Sequence, residues 1–176
     1  MTGRLSPEAI HEGTGRPWGE WLAFFDSIGA EGLSHQEIVA RASEHGAPPW
    51  WRQMVTVAYE QHIGRRLPGQ APDGTFTVNA SRTCAGSLDD SLGRWSSVLA
   101  GATDIDGVAV TQGPDVTSSV SWRYWRCQLA DGSRVVVNFS DKAPGKSVVA
   151  VQHERLDNPE AADRWRAHWR SVLATL

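Results

Sequence analysis

His153 is the residue whose type and setting most invite chemistry. It stands beside Glu154 near the end of a run, Ser147–Leu156, that alternates in the manner of a strand. An imidazole titrates near neutrality, so it can serve as a general base or orient a ligand. Arg82, Arg123 and Arg126 are candidate neighbours. The competing reading is a hydrogen-bonded structural histidine. Gln152 and His153 must face opposite sides of a strand, so at most one of them enters any given cavity. Three further histidines, His35, His45 and His62, fall in the N-terminal part. A zinc site needs three or four converging ligands. His35 and His45 lie near opposite edges of one helix and His62 on another, so no metal is expected. No GxGxxG, P-loop, GxSxG or HExxH motif occurs. Ser87-Leu88-Asp89-Asp90 reads as a helix cap and not as a nucleophile. No cofactor is expected.

Tryptophan is the second signal. The nine residues include four close pairs: Trp18/Trp21, Trp50/Trp51, Trp122/Trp125 and Trp165/Trp169. An indole carries a large apolar surface and one N–H donor. Trp95, Trp122, Tyr124, Trp165 and Trp169, with His153, are candidate walls of a cavity for a small hydrophobic or amphipathic ligand. The alternative is plain core, which a small domain needs in full. Trp50 and Trp51 are candidates for docking a partner.

The elements that position these residues follow from periodicity. Residues 1–16 are polar and glycine-rich and read as a loose arm. Pro17 opens a helix in which Trp18, Trp21, Leu22, Phe25 and Ile28 form one stripe. Ser34 and Glu37 make a capping box for a second helix that Gly46 closes. After Pro48-Pro49 a third helix runs from about Trp50 to Ile63. Its inner stripe is Trp51, Met54, Val55, Ala58 and His62. Arg52, Gln53, Thr56 and Glu60 are expected outside, where a DNA-reading helix would need them. Leu67–Gly74 is a linker by composition. The domains are therefore an arm (1–16), a three-helix module (17–66), a linker (67–74) and a C-terminal domain (75–176).

Beyond the linker the period becomes two. Phe76, Val78 and Ala80 begin a strand, and Ser87 caps a helix carrying Leu88, Leu92, Trp95 and Leu99. Val108–Gln112 is a short strand. Thr117–Leu129 reads as one long strand, with Val120, Trp122 and Tyr124 on one face and Trp125, Cys127 and Leu129 on the other. Asp131-Gly132 signals a hairpin before Arg134–Ser140. Ser147–Leu156 is the last strand. Asn158 and Pro159 then start a helix with a broad aromatic face. The fold class is α+β: a three-helix module and an antiparallel sheet packed on a long C-terminal helix.

Composition bounds the partners. The formal charge is -3, with no basic segment, which argues against a nucleic-acid partner held by bulk charge. No apolar run spans a bilayer and the N-terminus lacks a signal-peptide core, so a cytoplasmic protein without a membrane span is expected. Cys84 and Cys127 read as free thiols. The small helical module suggests a homodimer or packing on the rest of the chain.

Val151-Gln152-His153-Glu154-Arg155-Leu156, followed by Trp169 to Leu173, resembles the end of START-like (SRPBCC) helix-grip domains related to the activator of heat-shock-protein ATPase. Asp131–Phe139 and the opening "FTVNASRT" resemble strands of the same group. Residues 17–40 and 50–66 resemble a bacterial helical domain of unknown function that precedes such domains. The resemblance implies a helix-grip sheet and a ligand cavity. Two departures are the short C-terminal part and the helix ending Ser96–Gly101 in place of an Arg-x-x-Trp pattern. Members bind lipids, hormones or polyketides and some are enzymes, so the fold does not choose. The expected function is ligand binding. The alternatives are a regulatory interaction module and an enzyme acting on a cavity-bound substrate.

Overall fold

The computed structural model describes residues 5–176 and divides into two compact units that meet at Gly74/Thr75. The first unit is helical: α1 (Pro7–Thr14), α2 (Trp18–Ser27), α3 (His35–Glu44) and α4 (Trp51–His62), with a 3-10 turn at Ala30–Gly32. The stretch expected to be a loose arm therefore contains a helix. Its local signals are all present: Ser6 accepts from Ala9 N at 3.2 Å, Pro7 sits at the first position, and Gly15 closes the helix at φ 72°. What holds it is tertiary. Ile10 is buried, and Thr14 accepts from the Trp21 indole at 3.0 Å. Gly13 matters most, because a Cβ there would lie 1.7 Å from Trp51 Cε2. Trp51 thus rests on the bare backbone of α1.

Trp21, Phe25, Ile38, Ala42, Val55 and Tyr59 make the core of this unit. The capping box forms, with Ser34 N donating to Glu37 Oε2 at 2.8 Å. The inner stripe of α4 is displaced from the expected one. Thr56 and Glu60 are buried while His62 is exposed. Glu60 turns inward because one imidazole and two guanidinium groups meet it there. His35 Nδ1 lies 3.0 Å from Oε2, Arg66 Nη1 3.4 Å from Oε2 and Arg65 Nη1 3.9 Å from Oε1. A DNA-reading face that used Thr56 and Glu60 is thereby ruled out.

The second unit has strands β1 (Phe76–Ala85), β2 (Asp104–Ile105), β3 (Val108–Ser118), β4 (Trp122–Leu129), β5 (Arg134–Ala143) and β6 (Lys146–Leu156), with helices α5 (Leu88–Val98) and α6 (Pro159–Ala174). The strands form one antiparallel, curled sheet in the order β1-β6-β5-β4-β3-β2. α6 packs on it in a helix-grip arrangement, against β1 and β6. Ser91 Oγ and Ser147 Oγ, 2.7 Å apart, tie α5 to β6.

Two hairpins differ from expectation. The long run Thr117–Leu129 is broken at its serines: Ser119 N donates to Trp122 O at 2.9 Å, and Trp122 N to Ser119 Oγ at 3.2 Å. Val120, whose alternation mimicked a strand, is the exposed tip. Asp106-Gly107 turns β2 into β3 with φ of 51° and 78°, the Asp-Gly hairpin geometry. That signal is plain in the sequence, but only two residues of strand precede it.

Candidate functional site

The sheet has two faces, and the candidate cavity residues divide between them. Along β6, Val149, Val151 and His153 face the helices while Val148, Ala150 and Gln152 face away. Along β4, Trp125, Cys127 and Leu129 face the helices while Trp122, Tyr124 and Arg126 face away. Trp95, Trp165, Trp169 and His153 therefore belong to the interior. Trp122 and Tyr124 lie on the opposite face and cannot share a cavity with them.

The interior is packed with aromatic rings. Trp95, Phe139, Trp165 and Trp169 are all fully buried. Ring centroids lie 5.7 Å apart for Trp165/Trp169, 5.9 Å for Trp95/Trp169 and 5.7 Å for Trp95/Trp125. These side chains fill the space between sheet and helix where the expected cavity would lie. Cys84 and Cys127 are buried free thiols, and burial pushes Cys127 up to about 11.

His153 sits at the bottom of this core in a directed hydrogen-bond chain. Trp169 Nε1 donates to His153 Nδ1 at 3.1 Å. An indole N–H is a donor only, so Nδ1 accepts and Nε2 carries the proton. Nε2 then donates to Ser133 Oγ at 2.8 Å, and Ser133 Oγ donates to Asp131 Oδ1 at 2.6 Å. Burial pushes His153 down to about 4, against the opposing pull of Asp131. The imidazole is neutral at pH 7. The order of groups is the reverse of a nucleophilic triad, in which the carboxylate orients the histidine and the histidine accepts from the serine. Here the serine proton is already held by the carboxylate. The chain joins α6 to the β4–β5 turn, with His153 and Ser133 buried and Asp131 exposed at its end.

The face away from the helices carries an open groove of about 510 Å3. Cross-strand register builds it from two adjacent rows. One row runs Asn79, Gln152, Val136, Arg126 and the other Ser81, Ala150, Asn138, Tyr124. Val136 and Ala150 form an apolar floor. Asn79, Asn138 and Gln152 present three carboxamides that have no hydrogen-bond partner among the described residues, and Tyr124 stands at one side. The Arg126 guanidinium stacks 4.5 Å from the Tyr124 ring centroid and donates to Thr117 Oγ1 at 2.9 Å, which fixes the ring. Of the candidate cavity residues Trp95, Trp122, Tyr124, His153, Trp165 and Trp169, Tyr124 alone lines this groove. Asn79 and Asn138 were missed, and Gln152 was noted only as facing away from His153, because isolated amides on a strand carry no motif. Their common signal was alternation on neighbouring strands, and it becomes legible only once register is known.

In the helical unit, Trp50 is 60% exposed and contacts Trp51 edge-on at 4.8 Å. Trp51 is half-buried on Gly13. Among the described residues no cluster of three metal-binding side chains occurs, and no helix is long and apolar enough to cross a membrane.

No protein-family model matches the chain, and no curated protein matches it. Among solved structures, a Thermobifida fusca protein determined in solution is similar over 55% of this chain and 84% of its own, at 12% identity and a TM-score of 0.36. An uncharacterised protein from Rhizobium leguminosarum is similar over 57% of this chain and 95% of its own, at 12% identity and a TM-score of 0.26.

Proposed function

We propose that the C-terminal unit is a binding module for a small amphipathic molecule, and that it takes this ligand in the outer-face groove and not between sheet and helix. The observation that carries the reading is the convergence of three unpartnered carboxamides on an apolar floor. Polar groups left without protein partners at a concave surface are available to fix a ligand's orientation, and the groove volume lies within the roughly 300–1,000 Å3 of small-molecule sites. A cytoplasmic location goes with this proposal.

The test is a 15N NMR titration of the whole chain with two amphipathic probes, n-octyl glucoside below its micelle concentration and 1,2-hexanediol. The side-chain amide resonances of Asn79, Asn138 and Gln152 are expected to move together. Shifts confined to other residues, or none, would remove the proposal.

A second reading rests on Trp50. A tryptophan 60% exposed on a helical module suits a protein-docking role, in a homodimer or with another chain. Sedimentation of the wild type and Trp50→Ala discriminates for the homodimer, because a concentration-dependent mass that survives the substitution would exclude Trp50 as its anchor.

A further inference from the structure

We infer that the ligand class of the outer-face groove is an uncharged saccharide. This rests on the proposal that the groove is a binding site and names what it selects. Three features of the groove point the same way.

The first is charge. The groove is lined by amides, a serine hydroxyl, a tyrosine and small apolar side chains, and none of its lining residues is ionisable at neutral pH. Arg126, which flanks the groove in the row of Val136, is directed at the Tyr124 ring and Thr117 Oγ1. A phosphate, a carboxylate or a nucleic-acid backbone would meet no cation among the lining residues and one flanking guanidinium already directed at Tyr124 and Thr117, whereas single-stranded nucleic acids are held by grooves lined with several cations.

The second is hydrogen-bonding type. Each carboxamide of Asn79, Asn138 and Gln152 offers a donor pair and an acceptor in one plane. A sugar hydroxyl is itself a donor and an acceptor, so a ring of vicinal hydroxyls satisfies such amides from both sides. Asn79 pairs directly with Gln152 across β1–β6, and Asn138 with Ala150 across β5–β6, so the three amides surround one small side chain.

The third is the apolar surface. Val136 and Ala150 alone are too small a floor for an alkyl chain, but Tyr124 adds an aromatic ring beside them. A pyranose carries hydroxyls at its rim and C–H groups on its face, and an aromatic ring covers such a face well. Trp122 follows on the same face of β4, about 7 Å along the strand, and is 43% exposed. It extends the stacking surface beyond the groove, so a short oligosaccharide fits better than a single ring.

The experiment titrates the 15N-labelled chain with maltotriose, cellotriose, mannotriose and triacetylchitotriose, none of which has an alkyl chain, and with 1,2-hexanediol and oligouridylate in parallel. At least one trisaccharide is expected to shift the Asn79, Asn138 and Gln152 side-chain amides. Tyr124→Ala should weaken that binding roughly five- to tenfold, while Tyr124→Phe retains it. Gln152→Ala, at an exposed position, gives a second loss that does not depend on how Tyr124→Ala folds. If hexanediol moves the amides and no trisaccharide does, the groove stands and the saccharide assignment falls. If oligouridylate binds there in preference, the assignment also falls. If no probe moves them, both fail. A trisaccharide response unchanged in both Tyr124→Ala and Gln152→Ala would overturn it as well.

Discussion

The indole N–H of Trp169 and Nδ1 of His153 are 3.1 Å apart, and this one bond sets the donor and acceptor roles of His153 and Ser133 behind it. Because Nδ1 must accept, Nε2 donates to Ser133, and Ser133 donates to Asp131. A histidine whose type in the sequence allowed either a general base or a hydrogen-bonded structural role is held as a neutral connector between the last helix and the β4–β5 hairpin.

Stability should fall with acid through this residue. Burial lowers the folded value of His153 from 6.5 to about 4, so between these values the unfolded chain binds a proton that the folded chain refuses. Stability from the neutral imidazole is complete above pH 6.5 and is lost as pH falls towards 4, amounting to roughly 3 kcal/mol. Urea unfolding of the wild type and His153→Gln at successive pH values checks this. A slope between pH 4 and 6.5 that is equally steep in the variant would exclude His153 as its source.

Trp169→Phe and Trp165→Phe should differ. Both remove similar volume from the core. Trp169→Phe also leaves the buried Nδ1 of His153 without its donor, whereas the Trp165 N–H has no partner among the described residues. An unsatisfied buried acceptor costs about 1–3 kcal/mol, so Trp169→Phe should be the more destabilising by about that amount. Equal midpoints in denaturant for the two variants would show that the bond contributes nothing.

Gly13→Ala should destabilise the helical unit although alanine is the better helix former. The new methyl group would sit 1.7 Å from Cε2 of Trp51 and force the ring off α1. The expected cost is about 1–3 kcal/mol, against a propensity gain of about 1 kcal/mol at most. Calorimetry on Gly13→Ala, Trp51→Ala and the double variant tests the contact. The alanine penalty should vanish in the Trp51→Ala background.

Glu60→Gln should weaken the same unit by about 2 kcal/mol, because a buried carboxylate shared by His35, Arg65 and Arg66 is replaced by a neutral group and the cations lose their partner. His35 and Arg65 are partly open to water, which keeps the loss below that of a fully buried pair. Thermal unfolding of Glu60→Gln beside Glu44→Gln, an exposed control, measures it.

Local signals carried much of the fold. Ser34 with Glu37, Ser87 with Asp90 and Asn158 before Pro159 each mark a helix start because the capping bonds are made within four residues. Asp131-Gly132 marks a hairpin for the same reason. The first helix was missed where its signals were equally local, because the segment is short and polar and its stability comes from Trp51 lying on Gly13. The break at Ser119–Ser121 was missed because Val120 continued the alternation of a strand that had already ended.

The candidate site was legible only in part, and the limit is physical. The sequence by itself determined the helices with their caps, the α+β class, the alternation that separates Gln152 from His153, and the aromatic face of the last helix. Those properties depend on neighbours within one turn or one strand. Tertiary structure decided which face of the sheet the helices cover. Both faces of β4 carry aromatic residues, and only the packing of α5 and α6 commits Trp125 to the core and leaves Tyr124 beside Asn138 and Gln152. Cross-strand register, set by contacts distant in sequence, brings those amides together.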